Sequence, residues 1–373
     1  MKKAPDSFSK INNCIFIILA GAYLFVMAVF CILKPADKIS DSERRKLAQF
    51  PAISAERIIN GNFASDFEAY TMDQFPFRDN FRSLKAFTAY YPLRQLDQNG
   101  IYRKDGYVSA YVYPENEQML DYAADRFQDI YDRYLKDTDT KVYFAVIPDK
   151  NCYLESLHPS MDYDKFIQDM EKRVSYMQPI SLMDVIHLQD FYYTDTHLRQ
   201  DRLLNVSEKL ATEMGVPFEV NYELKTLEKP FYGVYYSQSS LCLEPDTIHY
   251  LTNPNLENCI VTGYDTGKAT ALAMYDFEKA AGKDAYDFFL SGPQALMTIE
   301  NPNAASTKEL VLFRDSYGSS IAPLLAGSYR KITLVDTRYM SPAMLDNFIE
   351  FEQQDVLFLY SSLLLNNSMA LKK

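Results

Sequence analysis

Glu309–Ser320 reads ELVLFRDSYGSS, and the fold class follows from how this stretch is parsed. Leu310, Val311, Leu312 and Phe313 have the length and unbroken apolar character of a strand buried on both faces. The run stops at Arg314-Asp315-Ser316, passes Gly318 and continues into the helix-compatible IAPLLAGSY. The reading is strand, tight turn, helix. A serine at such a turn is held at the carboxyl end of a sheet strand, with backbone N–H groups of the turn directed at whatever its hydroxyl attacks. Alone, the pattern is more often an ordinary helix cap, because Ser and Asp side chains accept from unpaired amides. A partner histidine elsewhere decides between the two.

Working outward, the same alternation recurs. Val142–Ile147, Leu182–Ile186, Ile332–Val335 and Val356–Tyr360 read as buried strands. Helical stretches fall near Gln118–Leu135, Asp164–Met177, Leu203–Met214 and Pro342–Gln353. Strands alternating with helices predict an α/β domain with a mainly parallel central sheet and helices on both faces. Glu219–Leu243 and Asp246–Asp265 are rich in Tyr and Thr and predict added antiparallel strands or an insertion over 219–265.

The chain of 373 residues is 47% hydrophobic and 24% charged, enough for a real core. Its formal charge of −12 argues against a polyanion, which demands clustered Lys and Arg, so no nucleic-acid partner is expected. Of five cysteines, Cys14 and Cys31 lie in an apolar run; Cys152, Cys242 and Cys259 are an odd set without CxxC spacing. At most one disulfide could form among those three, and free thiols are the expectation.

Cys14–Leu33 contains no charge and is long enough to cross about 30 Å of hydrocarbon as a helix. Lys34-Pro35 follows directly, without a small-x-small cleavage site, so an uncleaved anchor is expected. Lysines and arginines flank the run on both sides, and the positive-inside count leaves orientation open. Ser40–Leu96 reads as amphipathic helices broken at Asp73-Gln74-Phe75-Pro76. One apolar series there is Phe77, Phe81, Leu84, Phe87 and Tyr91, and a helical collar packed on the main domain is the simplest reading. The expected organisation is a short cytoplasmic tail (1–13), a transmembrane anchor (14–33), a helical juxtamembrane region (34–98) and the α/β domain (99–373).

The partner histidine is found in Phe191–Leu198, FYYTDTHL. Asp195 and His197 are two apart, so on extended backbone both emerge on one face, and the carboxylate can hold the imidazole through its Nδ1–H. A serine hydroxyl needs a base to remove its proton, and the base needs a carboxylate to fix its tautomer. Asp195, His197 and Ser316 could fill those roles. A solvated loop pair is the competing reading of Asp195-x-His197. No further His or Cys clusters beside the pair, so neither a metal nor a cofactor is expected.

At this point the chain resembles the DHHW and alginate O-acetyltransferase (AlgX/AlgJ-like) group, membrane-anchored or exported proteins of bacterial cell surfaces with a domain related to SGNH hydrolases. The matching pieces are SDSERRKLAQFP at Ser40, DQFPFRD at Asp73, NGIY at Asn99, VIPDK at Val146, FYYTDTH, FYGVYYSQ at Phe231, EPDTI at Glu244, KDAYDFFLSG at Lys283, LVLFRDSYGSSIAPLL and ITLVDTRY at Ile332. Their shared order over most of the chain is more specific than any one of them. The resemblance implies an SGNH-like three-layer sandwich, an Asp-x-His pair preceding the nucleophilic serine, and an extracytoplasmic main domain. It also implies a polysaccharide substrate and a multi-pass membrane O-acyltransferase as acetyl supplier. Thr196 and Leu198 stand where the family's fuller motif has a second histidine and a tryptophan.

The expected chemistry is O-acetyl transfer to a surface glycan, with Ser316 as nucleophile, His197 as base and Asp195 as its orienter. The amides of Ser316 and Gly318 are the oxyanion candidates, and Lys150, Tyr317 and Arg338 are candidates for lining the cleft. An acetylesterase of the same fold, or a non-catalytic anchored scaffold that binds glycan, are the alternatives.

Overall fold

A computed structural model describes residues 7–40, 43, 45–154, 159–241 and 243–373. The chain divides into two compact units, Met1–Arg94 and Gln95–Lys373.

In the first unit, helix α1 (Ser7–Leu33) contains a 21-residue stretch, Ile11–Cys31, apolar and long enough to cross a membrane, with Met27 its one buried residue. The chain after it returns against the next helices. Gln74 is buried and clamps Asp37 through both backbone groups: its Oε1 accepts from the Asp37 amide at 2.9 Å and its Nε2 donates to the Asp37 carbonyl at 2.9 Å. Three helices follow, α2 (Ala55–Ile59), α3 (Asn62–Asp73) and α4 (Arg78–Tyr90). The break between α3 and α4 falls at the expected proline, with Phe77 at a positive φ of 58°. Within this unit the series Phe77, Phe81, Leu84, Phe87 and Tyr91 is exposed, and α4 buries Ala86 and Ala89.

In the second unit, eight strands among the described residues form the central sheet. They are β1 (Lys141–Ile147), β2 (Gln178–Pro179), β3 (Ile260–Gly263), β4 (Thr270–Leu272), β5 (Leu296–Glu300), β6 (Glu309–Arg314), β7 (Lys331–Val335) and β8 (Asp355–Ser361). Their order is β4-β3-β5-β7-β6-β8-β1-β2; the run from β7 to β2 is parallel and the β4-β3-β5 edge is antiparallel. Strand alternation sorts the core onto two faces. Leu310, Leu312, Leu357, Leu359, Ala145 and Ile147 pack on one side with α7 (Leu204–Glu213) and the helix after β6. Val311, Phe313, Val356, Phe358, Phe144 and Val146 pack on the other, against α5 (Glu117–Ile130) and α6 (Tyr163–Arg173). The result is the three-layer sandwich.

Two expectations change, and the antiparallel strands expected in the 219–265 region are found. Leu182–Ile186 is a turn, not a strand: the Val185 and Ile186 amides both return to the Leu182 carbonyl at 3.2 and 3.1 Å, which puts buried Leu182 and Ile186 one helical turn apart. The strand beside β1 is instead the short β2. Pro342–Gln353 is helical only as a 3-10 segment, Pro342–Asn347. The 219–265 region is part hairpin and part sheet: Glu223–Phe231 pairs antiparallel with Asp246–Thr252 outside the central sheet, whereas β3 joins it. Cys152 and Cys259 are free and partly buried, and Cys242 lies outside the described residues.

Candidate active site

Ser316 follows β6 by two residues, at the carboxyl end of a strand flanked on both sides by parallel neighbours. Its turn is pinned from behind. Asp315 is buried and accepts from the Ser361 amide at 2.8 Å and the Ser361 hydroxyl at 2.6 Å, which ties the turn to the end of β8. The other oxygen of Asp315 accepts from the Tyr317 amide at 3.0 Å. Helix α8 (Gly318–Leu325) begins immediately after. Gly318 is required by contact: a Cβ there would come within 2.8 Å of the Arg314 Cβ, across the turn.

His197 reaches this turn from a different part of the chain. Its Nε2 lies 2.8 Å from Ser316 Oγ, and its Nδ1 lies 2.6 Å from Asp195 Oδ1. The consistent assignment is Nδ1–H donating to the carboxylate, which leaves Nε2 to accept from the serine hydroxyl. Asp195 is almost wholly buried. Burial opposes its ionisation, but the His197 ring and the amides of Val234 (2.8 Å) and His197 (3.0 Å) outweigh it, holding the carboxyl well below the usual carboxylate range.

The pair is held by residues whose roles the spacing did not reveal. Asp246, at the start of the hairpin's second strand, accepts from the amides of Tyr193 and Thr194 at 2.8 and 2.7 Å and from the Thr194 hydroxyl at 2.6 Å. Gly233 lies so close to the Thr194–Asp195 peptide that a Cβ would sit 2.3 Å from the Thr194 carbonyl oxygen. Tyr286 stacks flat on the His197 ring, centroids 3.7 Å apart and planes within 8°. Its hydroxyl donates to Ser320 Oγ at 3.0 Å, and burial holds the phenol well above its ordinary pKa, so it stays a donor. All three lie inside stretches that carried the family resemblance, FYGVYYSQ, EPDTI and KDAYDFFLSG. Thr196, where the family has a second histidine, shares a hydrogen bond with the Tyr317 hydroxyl at 2.8 Å, and Leu198 is buried in the core.

The remaining sequence candidates are placed variously. Tyr317 is beside the site: its ring tilts against His197 at 5.0 Å and its hydroxyl donates to the Thr196 carbonyl at 2.7 Å. The Gly318 amide already donates to the Asp315 carbonyl at 3.1 Å. Lys150 is buried rather than lining a cleft, with its Nζ donating to the carbonyls of Val108 (2.6 Å), Tyr192 (3.0 Å) and Tyr193 (3.3 Å). It therefore supports the loop segment that leads into Asp195. Burial pulls its ammonium down to about 7, against the opposing pull of Asp195, Asp246 and Asp149. Arg338 is engaged as a fork on Asp336, at 2.9 and 2.6 Å. Arg314, not anticipated, is fully buried: Nη1 donates to the Asp315 carbonyl at 3.3 Å and lies 3.8 Å from Asp336, while Nε and Nη2 have no partner. Among the described residues, no three potential metal ligands converge.

A parallel sheet with a serine at the end of one strand, and a His–Asp pair brought to it from a separate loop, defines an SGNH-hydrolase-like α/β domain. Solved structures agree on that fold. A DHHW family protein from Eubacterium siraeum matches with a TM-score of 0.60 at 20% identity, over 74% of this chain and 95% of its own. PatB1 from Bacillus cereus matches with a TM-score of 0.57 at 18% identity, over 71% of this chain and 96% of its own. The same protein carrying a sulfonyl adduct matches with a TM-score of 0.58 at 18% identity, over 73% and 98%. The first of these belongs to the group that the motifs resemble. The chain matches no family model and no curated protein.

Proposed function

We propose that the chain is an O-acetyltransferase of a cell-surface or exported polysaccharide, working through an acetyl-serine intermediate. The observation that carries the proposal is the continuous contact from Asp195 through His197 to Ser316. Ser316 Oγ attacks the acyl carbonyl while its proton passes to His197 Nε2. The tetrahedral oxyanion is met by the Ser316 amide, since the Tyr317, Gly318 and Ser319 amides are committed within the turn. The leaving group departs with the proton from His197, and the ester on Ser316 remains. A sugar hydroxyl then gives its proton to His197 and takes the acyl group, regenerating the serine. Asp195 stays ionised throughout and stabilises the imidazolium.

The acetyl group, the glycan acceptor and a membrane O-acyltransferase as supplier rest on the resemblance in the motifs. PatB1, a protein of the same fold, is known with a sulfonyl adduct, and a sulfonyl fluoride is accordingly the probe for the serine here. The α1 helix anchors the chain in a membrane, with the Gln95–Lys373 unit outside the cell.

The test is hydrolysis of a chromogenic acetyl ester by the detergent-solubilised full chain, with and without glycan acceptor. Ser316→Ala should lower the rate by ~10⁴-fold or more, and a sulfonyl fluoride should add one covalent mass to the wild type and none to the variant. Equal rates and no labelling would leave the scaffold reading. Acetylated glycan among the products separates a transferase from an esterase.

A further inference from the structure

Helix α4 is amphipathic the wrong way round for a helix bathed in water. Phe77, just before it, Phe81, Leu84, Phe87 and Tyr91, just after it, fall at intervals of four, three, three and four, which is one face. That face is 41–59% exposed residue by residue, while the buried positions are the small Ala86 and Ala89. A contiguous apolar stripe left open marks a surface that something else covers.

Its position names the occupant. Phe77 is in edge-on ring contact with Phe30, centroids 6.3 Å apart, and Phe30 belongs to the apolar stretch Ile11–Cys31. Cys31 of that stretch also lines a cavity of about 770 Å³ shared with Phe75, Phe81 and Met72. The register is fixed rather than incidental: Gln74 grips Asp37, four residues past the end of α1 and so within roughly 14 Å of it along the chain. A residue in contact with Phe30 lies at acyl-chain depth if α1 spans a bilayer. Lys85, exposed and four residues beyond Phe81, has the long stem and charged head that such a helix uses to reach phosphate.

We propose that α4 is an interfacial helix, lying in the leaflet at the carboxyl end of α1 with its stripe among the acyl chains of phospholipids and Lys85 at the headgroups. The proposal rests on the anchor reading of α1. Its consequence is a chain held to the bilayer at two points, a spanning helix and a helix in the plane, which restricts the rotation a single span would allow.

The chain contains no tryptophan, so single indoles report cleanly. Phe25→Trp in α1, Phe81→Trp in α4 and Tyr339→Trp in the second unit replace exposed side chains and leave the proposed site untouched. Each full-length variant is reconstituted in phosphatidylcholine–phosphatidylglycerol vesicles with plain or acyl-brominated lipid. Phe81→Trp should blue-shift and lose most of its emission to bromine, as Phe25→Trp does, while Tyr339→Trp is unchanged. Phe25→Trp quenched with Phe81→Trp behaving like Tyr339→Trp would overturn the proposal and leave the stripe to a protein partner. An unquenched Phe25→Trp would sink the anchor reading separately; Phe81→Trp then still decides whether α4 meets lipid.

Discussion

Replacing Gly233 by alanine is the substitution that most directly probes how the His–Asp pair is held. The Gly233 backbone, φ −68° and ψ 172°, is one any residue adopts, so alanine introduces no conformational strain. The obstacle is contact. A Cβ would stand 2.3 Å from the Thr194 carbonyl oxygen and 2.4 Å from the Asp195 nitrogen, and to reach 3.0 Å the two segments must part by about 0.7 Å. Neither side yields freely: the Thr194 carbonyl accepts from the Tyr235 and Tyr236 amides, and the Thr194 hydroxyl from the Gly233 amide. The displacement therefore falls on the 2.8 Å bond from the Val234 amide to Asp195 and, through that carboxylate, on His197. Misplacement on the order of 1 Å costs about 10²-fold in rate, whereas overpacking costs stability only about 1–3 kcal/mol. The expected outcome is kcat/KM on a chromogenic acetyl ester lowered by ~10²-fold, sulfonyl labelling of Ser316 slowed in parallel, and a circular dichroism spectrum unchanged. A folded Gly233→Ala protein with the wild-type labelling rate would refute the idea that this close approach positions the pair.

Two further outcomes follow from buried charge. Asp336→Ala leaves the Arg314 guanidinium buried with only the Asp315 carbonyl and also removes the Arg338 fork, and should cost about 3–5 kcal/mol in urea unfolding, with the Arg314 share alone restored when Arg314→Met is added; a double variant no more stable than the single would refute the pairing. Burial pulls the Lys150 ammonium down to about 7 in the folded chain from an ordinary 10.5. Below pH 7 it is protonated both folded and unfolded, and the burial penalty is fully present; between 7 and 10.5 the unfolded chain binds the extra proton, so stability rises with pH, by about 5 kcal/mol at the limit. Wild type should thus gain stability over Lys150→Met between pH 7 and 10 in parallel denaturation series, and parallel curves would count against it.

How much of this was legible depends on whether the signal is local. The strands β1, β6, β7 and β8 are short apolar runs buried on both faces, and such runs show in the sequence because every residue is constrained alike. Asp195-x-His197 was legible from a carboxylate and an imidazole two apart, although the segment is not extended as expected: it bends back on itself between the bridged Phe191 and Leu198, which brings the His197 amide onto Asp195. Asp246, Gly233 and Tyr286 were not, because each acts on a peptide or ring 38 to 89 residues away, and nothing in their own neighbourhood announces it. Lys150 misleads in the opposite direction: a lysine just after a strand reads as a cleft residue until three carbonyls are found to surround it. Leu182–Ile186 shows the limit of periodicity, since an apolar pair four apart within a five-residue run suits a strand and a turn equally.

The bond between His197 Nε2 and Ser316 Oγ joins two supports of different kinds. The serine side is an extension of the central sheet: β6 lies between β7 and β8, Asp315 is tied to Ser361, and Arg314 packs under Gly318. The histidine side hangs on elements outside that sheet: the hairpin with Asp246, the short helix Val234–Ser239 whose first amide meets Asp195, and the 3-10 turn carrying Tyr286. Those elements share a small apolar cluster, Tyr192, Phe231, Ile248, Tyr286, Phe288 and Phe289 among them, separate from the two large ones on the sheet faces. Less buried area means a lower free energy of local opening. Substitutions on the hairpin side can therefore alter chemistry while the sheet stays folded, whereas substitutions in β6 alter both at once. That separation is the physical reason Gly233 reports on positioning more cleanly than any residue of the strand that carries the serine.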